Sequence, residues 1–183
     1  ENHCSQSSQW YPNIFTEDGK VFESGQLLRA NRLQKYANTE NGDWKFLMWD
    51  ETTSDTKMPM GSVGDRWGTA KGKWNLILKD GQDGTDINPV ITFLENNDGV
   101  ARVRFDDFGE GRSVVREVPV KKIQTADGGI ATVATVYDLL MAQYGVSRCL
   151  RGDYPENFDD EKFAYTPAWA EKYTGIGRKD LLQ

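Results

Sequence analysis

The sequence predicts an α+β fold, an antiparallel β-meander followed by amphipathic helices. Three observations predict it. Short segments of alternating polarity fill the middle of the chain, Gly-, Asp- and Asn-rich reversals separate them, and helical periodicity is confined to the last third.

Residues 1–43 read as irregular chain with one short helix. Glu1 to Gly19 is polar with an aromatic patch at Trp10, Tyr11 and Phe15. In Gly25–Ala37, Leu27, Leu28, Ala30 and Leu33 suit a short helix, and Glu40–Asp43 is turn chemistry.

Residues 44–125 read as the meander. Trp44, Phe46 and Met48 alternate, as a half-buried strand requires. Ala101, Val103 and Phe105 alternate with Arg102, Arg104 and Asp106 in the same way. Further strands are expected at Trp74–Leu78, Val90–Leu94 and Val114–Ile123. Reversals fall at Lys79–Gly84, Asn96–Gly99 and Gly109–Gly111. Pro119 lacks the donor a ladder needs, so it puts the last strand at an edge or a bulge.

Residues 130–183 read as helical. Val133, Val136, Tyr137, Leu140, Met141 and Tyr144 form one helical stripe that Gly145 ends, and core packing is its expected role. Thr166 is placed to cap a second helix, Pro167 to start it and Gly175 to end it in a left-handed turn. Arg178 opens a third, with Leu181 and Leu182 as its first apolar residues. It reaches Gln183 well short of the roughly 12–15 residues that make an isolated helix even marginal. That truncation, with a first residue that is not Met, predicts a piece of a longer polypeptide.

Composition narrows the function classes. A chain of 183 residues, 38% hydrophobic and 27% charged, is expected to form one domain. No run approaches the roughly 18–20 apolar residues of a membrane span, and Glu1 opens no signal peptide. The net charge of −6, with Lys and Arg unclustered, argues against a nucleic-acid partner. The acidic run Asp153–Lys162 reads as a solvated loop. The two cysteines, Cys4 and Cys149, and the one histidine, His3, are too few for a structural zinc site or an iron–sulfur cluster held by this chain alone. His3 and Cys4 read as a fraying tail, and a Cys4–Cys149 disulfide stays open.

No catalytic constellation emerges. Met60–Gly68 has three glycines but neither the Gly-Lys-Ser/Thr end of a P-loop nor dinucleotide spacing, so it reads as a loop. Gly175–Gly177 fails as a dinucleotide motif because Asp180 stands at the third glycine. Asp107–Gly109 lacks the upstream catalytic loop of kinases and reads as a turn. Serine or cysteine nucleophiles generally want a histidine base, and His3 sits beside no recognisable elbow. Asp106/Asp107 and Asp159/Asp160 are paired carboxylates, but 28 acidic residues make such pairs inevitable. No catalytic and no metal-ligating residue is therefore assigned.

Four blocks together carry a resemblance. They are SGQLLRANRL (24–33), PMGSVGDRWGTAKGKWNL (59–76), VPVKKIQTADGGIATVATVYDLLMAQYGVSR (118–148) and FAYTPAWAEKYTGIGR (163–178). Their order and spacing resemble an internal portion of the catalytic alpha subunit of respiratory nitrate reductase, and the related nitrite oxidoreductase alpha subunit, among molybdopterin oxidoreductases. The resemblance runs from about Ser24 to the end, whereas residues 1–13 depart from the pattern. Cys149 stands where the family usually has glycine, which strains the residue if the turn is left-handed. The resemblance implies an intact subunit that holds molybdenum bis-molybdopterin guanine dinucleotide and a 4Fe-4S cluster, with ligands upstream of this portion. It implies an iron–sulfur beta subunit and a haem b gamma subunit as partners, at the cytoplasmic face of the bacterial inner membrane. Whether nitrate is reduced or nitrite oxidised is left open. The alternative from another class is a stand-alone β-rich binding module presenting Trp44, Trp49, Trp67 and Trp74.

Overall fold

Where the sequence reads as irregular polar chain, three short strands form: β1 (Ser8–Trp10), β2 (Asn13–Thr16) and β3 (Gly19–Glu23). The computed structural model of the chain describes residues 8–10, 13–16, 19–23, 27–60, 78–108 and 111–183. Strands β4 (Met48–Asp50) and β5 (Asp55–Lys57) make a small hairpin. Then come β6 (Val100–Asp107), β7 (Arg112–Pro119), β8 (Lys121–Gln124) and β9 (Ile130–Thr135). Helices α1 (Val136–Gln143), α2 (Pro167–Thr174) and α3 (Arg178–Leu181) complete an α+β fold.

Among the described residues the strands divide into three sheets rather than one meander: β1-β9-β8, β2-β3-β6-β7 and β4-β5. Antiparallel pairing holds for β4–β5, β6–β7 and β8–β9, but β3 and β6 are parallel, with Val21 opposite Arg102. A parallel pair requires a long crossover. Here the crossover carries everything between Glu23 and Val100, including the β4–β5 hairpin.

Two apolar clusters result. Phe22, Val103, Phe105, Val114, Val118, Leu139 and Ala142 belong to the first, between the four-stranded sheet and α1. Leu28, Leu33, Tyr36, Leu47, Met58, Phe93, Ile123 and Val133 belong to the second. The alternation in β6 holds as expected, with Ala101, Val103 and Phe105 buried and Arg102 and Asp106 exposed.

Elsewhere local bonding overrides periodicity. The short helix expected over Gly25–Ala37 is realised as two 3-10 turns, Ala30–Arg32 and Gln34–Tyr36, with Gly25 and Gln26 outside the described residues. Bonds from i to i+3 link Arg29 to Arg32, Ala30 to Leu33, Leu33 to Tyr36 and Tyr36 to Thr39. Ala30, Leu33 and Tyr36 are buried at a spacing of three, the period of the 3-10 helix. The expected strand face at Trp44, Phe46 and Met48 fails because the Trp44 N–H closes a turn on the Asn41 carbonyl. Trp44 is left 61% exposed, and Leu47 is fully buried instead. Val90–Leu94 forms no strand, since the Phe93 N–H goes to the Asp138 carboxylate and the Leu94 N–H to the Thr92 hydroxyl.

The single strand expected over Val114–Ile123 breaks at Val120, which exchanges bonds with Asp98 and Gly99. Pro119 ends β7 at the edge of its sheet, as its missing donor requires. Residues 130–135 are a strand where helical chain is expected, so Val133 belongs to β9 and the helix begins at Val136. The buried face of α1 is Asp138, Leu139 and Ala142. The apolar stripe of Val136, Tyr137, Leu140 and Met141 is not the face that α1 buries most deeply, and Tyr144 is 48% exposed. α1 packs against β7 and β9 with small Ala142 on its buried face.

The C-terminal helices follow expectation. The Thr166 hydroxyl accepts from the Trp169 N–H, Pro167 opens α2, and Gly175 ends it at φ +72°. Arg178 starts α3, whose Leu181 and Leu182 are exposed. Turns or bends occupy part of each reversal at 40–43, 79–84 and 96–99. Gly109 lies outside the described residues, as does the expected strand at Trp74–Leu78 apart from Leu78.

Candidate functional site

The motifs weighed from sequence do not converge. Asp106 and Asp107 leave opposite faces of β6, so the first is exposed and the second 4% exposed. Asp107 is a brace: it accepts from Arg112 Nε at 2.5 Å and from the Ala164 N–H at 3.1 Å. Phe108 is exposed, and Gly109 lies outside the described residues, as do Gly61–Gly68, Trp67 and Trp74. Gly175 and Gly177 serve as helix caps. The acidic run lines an open groove of about 580 Å³, with Asp153, Glu156, Asp159, Asp160 and Lys162 on its walls. Asp159 is engaged by Arg178 at 2.9 Å. Trp44 is exposed, but Trp49 packs edge-on against Phe93 at 5.8 Å, so the two differ in exposure. His3 and Cys4 lie outside the described residues, and Cys149 is a free, exposed thiol at φ +66°.

Two buried ionic groups are the strongest polar features. Asp138, in the first turn of α1, is fully buried. One carboxylate oxygen accepts from Thr92 Oγ1 at 2.5 Å and Arg148 Nη1 at 2.8 Å. The other accepts from the Phe93 N–H and Thr135 Oγ1, both at 2.9 Å. Four donors on one carboxylate satisfy it without water, which burial of a charge demands. The group ties the start of α1 to the 92–94 loop and to Arg148.

Arg116, on β7, is 2% exposed. Its Nη1 donates to the Ala142 and Gln143 carbonyls at 2.6 and 3.1 Å, and its Nε to the Asp153 carbonyl at 2.7 Å. The guanidinium thus sits on the carbonyl end of α1, where the helix dipole favours a cation. Burial nevertheless pulls it below the ordinary arginine value, against the opposing pull of Tyr154 and nearby carboxylates. Gly152 closes over this strand: a Cβ there would stand 2.6 Å from Arg116 Cα and from the Val115 carbonyl oxygen. Only glycine permits that approach, and its φ of +136° adds a second reason.

Sequence reasoning does not find Asp138, Arg116 and Arg148 as a bracing set. Thr135-x-x-Asp138 is a helix-start signature, hidden when residues 130–135 are read as helix. Arg116 has no sequence signal, because its burial depends on the return of residues 151–153 to β7.

An aromatic cluster lies at the same end. Tyr165 meets Tyr144 at 4.9 Å and Phe108 at 6.2 Å, while Trp169 meets Phe108 at 6.0 Å, Tyr165 at 5.7 Å and Tyr173 at 4.9 Å. Beside it, Arg178 binds Asp159, Glu171 and Glu161 together. Those bonds strengthen its hold on its own proton, and the bond from Arg178 lowers the Glu171 carboxyl below its ordinary value. Ring contacts and ion pairs thus brace α2 and α3.

Among the described residues, no three His, Cys, Asp or Glu side chains converge as a metal site. No chemical step is assigned to these residues.

No protein-family model matches the chain. Several curated proteins do. The chain is 38% identical over 183 residues to the respiratory nitrate reductase 1 alpha chain of Escherichia coli strain K12, taking in 93% of this chain. It is 33% identical over 177 residues to the nitrate reductase alpha chain of Bacillus subtilis strain 168, taking in 94%. It is 32% identical over 188 residues to the respiratory nitrate reductase alpha chain of a Bradyrhizobium species. That last match takes in 100% of this chain, so residues 1–13, which depart from the pattern expected from sequence, lie inside it. The chain spans only 14–17% of the length of these relatives. Over nearly its whole length, then, this chain is a relative of the nitrate reductase alpha chains, corresponding to one segment of them.

Proposed function

We propose that the chain is a scaffold segment within the catalytic subunit of a molybdenum-dependent nitrate reductase, which reduces nitrate to nitrite by oxygen-atom transfer. The observation that carries this reading is the match over 93% of the chain, at 38% identity, to a respiratory nitrate reductase alpha chain. In the intact subunit, molybdenum bis-molybdopterin guanine dinucleotide supplies the two-electron and oxygen-atom chemistry, and a 4Fe-4S cluster passes electrons on. This segment contributes rigidity. Asp138 and Arg116 fix α1 against the sheet and the 92–94 loop, so that neighbouring parts of the subunit rest on an element with few alternatives.

An iron–sulfur beta subunit and a haem b gamma subunit complete the electron path in this reading, holding the subunit at the cytoplasmic face of the inner membrane. Among the described residues no helix is long and apolar enough to cross a membrane itself. Nitrate reduction is the direction taken in this reading, and nitrite oxidation by an alpha subunit of the same kind is its alternative.

The test is recovery of the complete gene and purification of its product with its partner subunits. Stoichiometric molybdenum and nitrate-dependent oxidation of a reduced dye are expected. A product without molybdenum, or one that oxidises nitrite but does not turn over nitrate with low-potential donors, overturns the reading.

A further inference from the structure

We propose that the aromatic face formed by Phe108, Tyr144, Tyr165, Trp169 and Tyr173 is the seam on which the remainder of the same polypeptide docks, an inference that rests on the alpha-chain reading. Single exposed aromatics are ordinary on protein surfaces, but a contiguous exposed apolar patch marks an interaction site. Here five rings from four places in the chain touch one another in a continuous series. Phe108 is nevertheless 62% exposed, Tyr173 55% and Tyr144 48%.

The series is pre-organised. Phe108 follows β6, Tyr144 caps α1, and Trp169 and Tyr173 lie one turn apart on α2. Ring-to-ring contact already restricts these side chains, so covering them costs little further rotamer freedom. Trp169 Nε1 is itself buried and has no acceptor among the described residues. Exposed apolar side chains continue beyond α2 at Ile176, Leu181 and Leu182.

The length of the relatives argues for the occupant. This chain corresponds to 14–17% of them, so most of such a subunit is polypeptide covalently joined to the face. A tethered surface acts at an effective concentration that a separate partner seldom reaches. Asp159, Glu161 and Glu171 flank α2 with Arg178 among them, so the docking surface needs an apolar centre and a basic rim on that side.

Hydroxyl-radical footprinting of the full-length alpha chain, alone and in its complex, tests this. Oxidation of Phe108, Tyr144 and Tyr173 in the alpha chain alone is expected to fall at least about tenfold below the unfolded protein, near the level of Tyr36, which is 2% exposed. Protection that appears only in the complex assigns the face to a partner subunit and overturns the proposal. Protection that rises with alpha-chain concentration assigns it to a second copy and overturns it too, as does free labelling in every state. Nitrate turnover by the same preparation is read separately. Protected rings without turnover sink the functional reading and keep the seam, whereas turnover with labelled rings does the reverse.

Discussion

Arg148 Nη1 lies 2.8 Å from a carboxylate oxygen of Asp138, and the carboxylate has no solvent exposure. Arg148 is the one basic side chain bonded to that carboxylate among the described contacts, the other donors being neutral. Removing it strands a buried charge, which typically costs about 3–5 kcal/mol. Arg148→Ala is therefore expected to open α1 and the 92–94 loop together. Hydrogen exchange in the full-length subunit checks it: loss of protection at Phe93 and across α1, with α2 little changed, is the expected pattern.

Gly152→Ala places a methyl group 2.6 Å from backbone atoms of β7, so the strand or the returning chain must shift. The penalty should exceed the about 1–3 kcal/mol of an unfavourable backbone conformation by itself. The bonds from the Glu117 N–H to the Arg151 carbonyl and from the Asp153 N–H to the Val115 carbonyl should be lost with it. New proteolytic cleavage in residues 145–166 is the readout.

Cys149 behaves in the opposite sense. Its φ of +66° lies in the left-handed region that glycine adopts without penalty. Cys149→Gly is expected to stabilise the local structure by about 1 kcal/mol, the order of the left-handed cost for a residue with a side chain. Slower exchange of amides near residues 146–153 would show it, and faster exchange would count against it.

At the alkaline end, burial, aided by the Tyr36 hydroxyl's bond to the Asp80 carboxylate at 2.6 Å, pushes Tyr36 well above the ordinary tyrosine value. A raised folded-state value means the contribution is intact below the unfolded pKa of about 10 and is lost as pH climbs past it. Stability should fall above about pH 10, and Tyr36→Phe should flatten that decline while costing about 1 kcal/mol at neutrality. Unfolding midpoints measured from about pH 8 upward, through the ordinary tyrosine range, decide it.

At the acid end the sign reverses. Burial works to raise the Asp50 carboxyl, but bonds from the Thr53 hydroxyl, the Asn88 N–H and the Thr53 N–H outweigh it, and the value lies below the ordinary range. Its contribution is present above the unfolded pKa of about 3.9 and is lost as pH falls through the folded one. Asp50→Asn should therefore cost stability near neutrality, and unfolding midpoints taken during acidification should show the difference from wild type shrinking.

The fold is most legible where one local rule decides the outcome. Alternation in β6 and the Thr166–Pro167–Gly175 punctuation of α2 need nothing from elsewhere in the chain. Residues 90–94 are illegible for the opposite reason, because a carboxylate 45 positions away takes the Phe93 N–H. The helical stripe of residues 133–144 misleads twice. Its first member is in a strand, and the face it marks is not the one α1 buries. The bracing at Arg116 depends on Gly152 returning to β7, a tertiary contact that no spacing announces.

Strand β9 stands between the two apolar clusters and serves both. Ala131 and Val133 belong to the cluster around Phe93, and Ala134 to the cluster around Val103. A single-residue insertion within Ile130–Thr135 would invert the facing of every side chain beyond it in the strand. The strand is thus a party wall: damage on one side is felt at once on the other, and neither room can be remodelled alone.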